Sequence, residues 1–203
     1  MLILALDTSG KVASCALLRD GAVIGYTEKD SMLDHSSTLL PVCREMLEKS
    51  GLALDDVDVF AATIGPGSFT GVRIGTAAVK GFAWAAEKPC AGVSTLLSAA
   101  YNYAGTGRFC QRLLARQDEY YYAVFEKDQA GVHRLTEDTV GSGAETQQPG
   151  CEIVTGGQNA AGTAMAAYAM AQAGALTDCH SMNPAYLRIT QAERMKQEKE
   201  KQR

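Results

Sequence analysis

What this chain lacks narrows its chemistry before any motif is read. Its six cysteines, Cys15, Cys43, Cys90, Cys110, Cys151 and Cys179, form no C-x-x-C pair, and only three histidines occur in 203 residues. Without zinc-ligand spacing, a metal centre has no support in the sequence. Lys and Arg number 19 against 23 Asp and Glu, a formal charge of −4. No basic field results, so direct nucleic-acid binding is disfavoured, because neutralising phosphates takes clustered cations. The opening "MLILALDTSG" has no basic lead and no small-residue cleavage site, so it reads as a buried strand. The thiols are then expected reduced, in a cytoplasmic protein. The stretch "NAAGTAMAAYAMAQAGAL" at 159–176 is uncharged but mostly alanine, too weakly apolar for a membrane span. It predicts a helix packed on more than one side.

What is present is enough for a packed core: 46% of residues are apolar and 21% charged, which excludes general disorder. Strands are expected over 2–6, 12–18 and 22–28, the last two joined at Asp20-Gly21, a hairpin signal. Ser36 or Ser37 can cap a helix that runs to Ser50 and stops at Gly51, with Pro41 in its opening turns. A strand at 57–64, a glycine loop, a helix at 70–87, a strand in "PCAGVS" and a helix at 95–103 follow. That order gives an α/β domain with a mixed sheet over residues 1–104. A smaller α/β unit is expected over 105–190, with strands at 111–116, 119–126 and 151–155 before the alanine-rich helix. Within it, "EDTVGSGAETQQPG" reads as a polar loop. Residues 191–203 form a charged tail.

Two segments have the look of phosphate sites. In "IGPGSFTGVRIG" the first three glycines, Gly65, Gly67 and Gly71, are spaced G-x-G-x-x-x-G, which satisfies neither the Walker A nor the dinucleotide pattern. Strand, glycine loop and helix in succession still aim backbone amides at any anion near the helix start, with Ser68 and Thr70 adding hydroxyls. A tight turn and an anion site both remain open at this point. Asp7, Thr8 and Ser9 in "LDTSG" could hold a metal–phosphate group, but an Asx-type turn is the plainer reading. His35, in "DHSSTLLP", has Leu39 rather than a second histidine one turn on, so capping or packing suits it better than ligation.

The helix after the glycine loop carries Arg73, Thr76, Lys80 and Glu87 on a narrow polar stripe. Val72, Ile74, Ala77, Ala78, Gly81, Phe82 and Ala85 cover much of the rest. A helix apolar around so much of its girth should be buried on two sides, one against its own sheet and the other against a second protein or more of this chain. The preceding helix is similarly wide, with Leu39, Leu40, Val42, Cys43, Met46 and Leu47. Gly75 and Ala78 offer close approach, and a bulky charge at either is expected to weaken association while sparing the fold.

In order along the chain, "LALDTS", "DHSSTLLP", "IGPGSFTGVRIG" with "AVKGFAWA", "GVSTL" and "NPAYLR" resemble the bacterial TsaB (YeaZ) family, strongly over residues 1–100. The resemblance implies an actin-like fold of the Hsp70/sugar-kinase superfamily, with two related subdomains and mixed sheets. It implies a non-catalytic subunit of the machinery that makes threonylcarbamoyladenosine at position 37 of tRNA. Such subunits pair with the homologous catalytic subunit TsaD, are joined by the ATPase TsaE, and meet tRNA through the complex; alone they can form homodimers. The implied pairing surface lies on the first two helices. Here it takes His35, Leu39, Leu40, Cys43, Met46 and Leu47 from one, and Arg73, Gly75, Thr76, Ala78, Val79 and Phe82 from the other. No catalytic residue and no required cofactor are implied, although ATP or ADP could sit at the complex interface. An old glycoprotease label of the family implies no peptidase activity. Where members carry a "DARRGEVY"-like segment, this chain has "LARQDEYYY", with Leu114 in place of the acid. The stretch from Leu135 to Asn183 is also shorter, so the second subdomain is expected trimmed. The rival expectation, from another class, is a solitary phosphotransferase with Asp7 and Thr8 at a metal–phosphate site and 65–70 as a phosphate loop. It lacks an evident general base.

Overall fold

The structure, a computed structural model, describes residues 1–30 and 35–187, with the backbone alone at 35–38. The chain opens with an antiparallel meander: β1 (Leu2–Asp7), β2 (Val12–Arg19) and β3 (Ala22–Asp30). Asp20 and Gly21 both take positive φ, 49° and 85°. That is the conformation a two-residue hairpin needs to match the strand twist. Next come α1 (His35–Lys49), a 3-10 turn at Leu54–Asp56, β4 (Val59–Gly65), α2 (Phe69–Ala86) and β5 (Cys90–Ser94). The sheet order is β3-β2-β1-β4-β5, with β4 parallel to β1 and β5 parallel to β4.

Every residue of β1 is buried, because the sheet is covered on both faces. Leu2, Leu4, Leu6, Cys15, Leu17 and Phe60 face α1 and α2. Ile3, Ala5, Ala16, Leu18, Val59 and Ala61 face the other way, toward α4 (Ala160–Gln172). The alanine-rich helix therefore belongs to the first sheet's packing, although the sequence placed it with the second unit. Its small side chains let it lie close to the sheet, and α3 (Thr95–Tyr101) packs along it. At that crossing a Cβ on Gly162 would stand 2.1 Å from the Ser98 carbonyl oxygen. Burial on two sides, expected for this helix, is what the structure shows.

The second sheet repeats the pairing of the first on a smaller scale. β6 (Gly107–Arg116), β7 (Glu119–Asp128) and β8 (Gly131–Arg134) form a meander, and β10 (Glu152–Thr155) runs parallel to β6 as β4 does to β1. Phe109, Leu113, Ala123 and Phe125 pack on Leu96 and Ala100 of α3. Between β8 and β10, where the first unit has α1, there is only β9 (Thr139–Ser142) and a turn, so this unit is indeed trimmed. β9 lies inside the segment read as a polar loop, and β8 was not foreseen. Both are four residues long with little alternation, and β7 selects them by pairing with one at each end. The tail 191–203 lies outside the described residues.

Candidate functional site

The glycine loop is closed by the chain itself. The first turn, Thr8 and Ser9, lies directly against it. The Ser68 amide donates to the Ser9 carbonyl at 2.7 Å, and the Thr8 hydroxyl donates to the Gly71 carbonyl at 2.6 Å. A Cβ on Gly67 would stand 2.6 Å from the Ser9 oxygen, and one on Gly71 1.9 Å from the Thr8 oxygen. On Gly75 it would meet the Thr8 hydroxyl at 2.3 Å, and on Gly65 the Ala185 oxygen at 2.5 Å. Gly65, Gly67 and Gly71 are needed because backbone meets backbone, and Gly75 because the Thr8 hydroxyl stands against it. Ser68 caps α2 by accepting from the Gly71 amide at 3.2 Å. Gly67, Ser68 and Thr70 are exposed beside this contact, whereas Asp7, Thr8, Ser9 and Gly65 are buried. Where Gly65, Gly67, Gly71 and Gly75 stand, the chain's own atoms leave no space for a nucleotide phosphate.

A separate cleft of about 400 Å³ lies between the turn after β1 and the turn after β10, and Asp7, Ser14, Tyr26, Glu28 and Gln158 are among its walls. Asp7 Oδ1 accepts from the Ser9 amide (2.8 Å), the Ser9 hydroxyl (2.6 Å) and the Thr63 hydroxyl (2.9 Å). Its Oδ2 has no partner. Burial raises the Asp7 carboxyl above the usual carboxylate range, against the pull of those three hydrogen bonds. Tyr26 donates to Glu28 at 2.5 Å, and burial together with that carboxylate pushes its phenol up to about 12. The first amides of α4 are taken up by the chain: Ala160 donates to the Ser14 hydroxyl, and Ala161 and Gly162 to the Asn159 side chain. Sequence reading missed this opposite wall. The signal was the Gly156-Gly157 turn after β10, which repeats the strand–glycine–helix order of the first unit.

The two helices named as a partner surface are only half available. Leu39, Cys43, Met46 and Leu47 of α1 are buried in this chain's own core, as are Gly75, Thr76 and Val79 of α2. Thr76, read as part of the polar stripe, points inward, and its Oγ1 has no partner. Gly75 cannot take a bulky charge without displacing Thr8, so that substitution would damage the fold and cannot report on association. Leu40 (51%) and Arg73 are exposed, Ala78 and Phe82 are partly so, and the side chain of His35 lies outside the described residues.

The outward stripe of α2 comprises Phe69, Arg73, Ala77, Gly81, Trp84 and Ala85. Trp84, the only tryptophan of the chain, is 69% exposed. Its spacing of seven residues from Ala77 and eleven from Arg73 was the signal sequence reading overlooked. The stripe thus leaves a large aromatic in water beside alanine and glycine. Among the described residues no group of three His, Cys, Asp or Glu could hold a metal, and no helix is long and apolar enough to cross a membrane.

A family model described as TsaD, tRNA N6-adenosine threonylcarbamoyltransferase, matches residues 29–193. The chain is similar to the tRNA threonylcarbamoyladenosine biosynthesis protein TsaB of Escherichia coli (strain K12), at 39% identity over 135 residues. That match covers 65% of this chain and 58% of that protein. TsaB of Bacillus subtilis (strain 168) is 32% identical over 143 residues, 68% of this chain and 61% of that protein. The chain thus spans a little over half the length of these curated relatives. Among solved structures, YeaZ from Pseudomonas aeruginosa superposes with a TM-score of 0.78 at 28% identity, covering 92% of this chain and 99% of that one. The fold is an α/β architecture of two five-stranded sheets, in which β10 beside β6 repeats the parallel pairing of β4 beside β1.

Proposed function

The chain belongs to the TsaD family, in its TsaB (YeaZ) branch, and from that premise we propose that it serves tRNA threonylcarbamoyladenosine synthesis as a non-catalytic subunit. Its role is to dock on a homologous TsaD-type catalytic subunit and support it. TsaE and tRNA join through that subunit, and nucleotide, where it takes part, is held at the assembled contact. The observation that carries this reading is the outward face of α2. Ala77, Gly81, Trp84 and Ala85 are exposed on a helix whose other side is fully engaged with its own sheet. Small residues let a second helix come close, and Trp84 supplies the aromatic anchor typical of contact centres. The same face would pair two copies of the chain when the catalytic subunit is absent.

A solitary phosphotransferase is favoured by one observation, the unpartnered Asp7 Oδ2 at the wall of the cleft. Against it stands the glycine loop, which is filled by Thr8, Ser9 and Ala185. Ala77→Glu tests the docking reading. A charge at the centre of the face should weaken binding to the TsaD-type subunit at least about tenfold, measured by calorimetry, with the melting temperature of the isolated chain unchanged. Undiminished binding would remove the proposal. ATP turnover by the purified chain that Asp7→Ala abolishes would replace it with the phosphotransferase.

A further inference from the structure

"SFTGVR" sets Phe69 and Arg73 four residues apart, one above the other on the first turns of α2. The chain's late segment comes back to meet them. The Ala185 amide donates to the Ile64 carbonyl at 2.7 Å, which fixes the segment beside the end of β4. Tyr186 then stacks on Phe69 with ring centroids 4.9 Å apart. Its hydroxyl accepts from Arg73 Nε at 2.7 Å. The Arg73 guanidinium carbon lies 3.9 Å from the Phe69 ring centroid and 5.6 Å from that of Tyr186. All three residues are exposed, Phe69 at 39% and Tyr186 at 44%.

This arrangement fixes a guanidinium by ring contacts and one hydrogen bond without neutralising it. No carboxylate among the described residues lies within ion-pair distance of Arg73. Nε is used, and the two terminal nitrogens form a fork of fixed orientation at the end of the outward stripe that Trp84 ends on the other side. An arginine so held has already lost most of its rotamer freedom, and its fork matches a carboxylate in two parallel hydrogen bonds. We propose that Arg73, positioned by Phe69 and Tyr186, receives the carboxylate of an Asp or Glu side chain on the partner protein. This rests on the reading of the α2 face as the docking surface. An RNA phosphate is the poorer occupant: the chain carries a charge of −4, and the nearby Lys80 is engaged with the His180 and Met182 carbonyls. Phosphate-backbone binding takes several clustered cations.

The test is calorimetric titration of the full chain with the TsaD-type subunit at about 50 and about 300 mM salt, using Arg73→Gln, Arg73→Lys, Tyr186→Phe and the reference variant Ala77→Glu. Arg73→Gln should weaken binding about tenfold or more at low salt and flatten the salt dependence. Arg73→Lys should recover only part of the loss, because an ammonium has no fork. Tyr186→Phe should weaken binding about threefold with the melting temperature unmoved. If Arg73→Gln binds within about twofold of the parent while Ala77→Glu has lost binding, the carboxylate receptor is refuted and the docking face stands. If Ala77→Glu also binds normally, the docking reading itself has failed. If Arg73→Gln weakens binding of a tRNA transcript and leaves the protein partner untouched, the contact is to phosphate and the proposal is overturned.

Discussion

α2 and α4 are built alike and end up in opposite situations. Each follows a strand parallel to the first strand of its unit, each is entered through a glycine-bearing turn, and each is rich in alanine. α4 lies on the first sheet and packs along α3, and no residue from Ala160 to Ala171 is exposed. α2 has the same sheet and α1 on one side; on the other the late segment touches Phe69, Arg73 and Lys80, and Trp84 stands 69% exposed. An apolar girth therefore says that a helix wants two neighbours, but not whether both are in the chain. The entry turns differ as well. Glycines 65, 67, 71 and 75 admit a backbone or hydroxyl contact from elsewhere in the chain, whereas Gly156 and Gly157 have nothing near and are there for their φ of 77° and 89°.

The contrast can be broken most severely at the α3–α4 crossing. Gly162→Ala forces a Cβ to 2.1 Å from the Ser98 oxygen and toward the Asn102 amide, and a backbone carbonyl cannot swing aside. A loss of about 3 kcal/mol is expected, lowering the melting temperature by ~10 °C; an unchanged melting temperature would mean that α4 is not tightly covered. Asp7, at the end of β1, offers a smaller effect of opposite sign. The Asp7 carboxyl is raised in the folded state, so its contribution is fully present below its unfolded value near 3.8 and is lost as pH rises through the folded one. At neutral pH the buried charge costs stability. Asp7→Asn keeps an oxygen for Ser9 and Thr63 and should gain about 1 kcal/mol at pH 7, a gain that shrinks toward pH 4. Urea unfolding across that range checks it, and a gain independent of pH would deny the raised carboxyl. The smallest effect belongs to the open side of α2. A Cβ on Gly81 meets nothing within 4 Å, so Gly81→Ala should stabilise by roughly 0.5–1 kcal/mol through helix propensity alone, where the same change in α4 destabilises.

Much of the scaffold was legible in the residues. Asp20-Gly21 announced the first hairpin, and the apolar run ending in "IGPG" announced a strand leaving into a loop and helix. Apolar content alone predicted a doubly covered α4. The placement of α4 against the first sheet was not legible, because an alanine helix of low contrast can face any layer. β9 was hidden in a polar segment, since its pairing with β7 and not its own composition makes it a strand. On α2 the orientation was misread by one step: Thr76 is inside and Ala77 outside. With alanine, glycine and threonine in adjacent positions, periodicity scarcely distinguishes the faces, and the sheet beneath decides.

By itself the sequence determined the order of the strands and helices apart from β8 and β9, the absence of a metal centre's ligand spacing, and the resemblance to a family. Each of these is written in local spacing, in turn residues and in composition. Tertiary structure decided which helix faces remain bare, because exposure depends on neighbours distant in the chain. It also decided that the loop holding Gly65, Gly67 and Gly71 is shut, because Thr8, Ser9 and Ala185 come from far ends of the sequence to fill it. Tyr186 reaches Arg73 across 113 residues in the same way, and no local pattern could have foretold that contact.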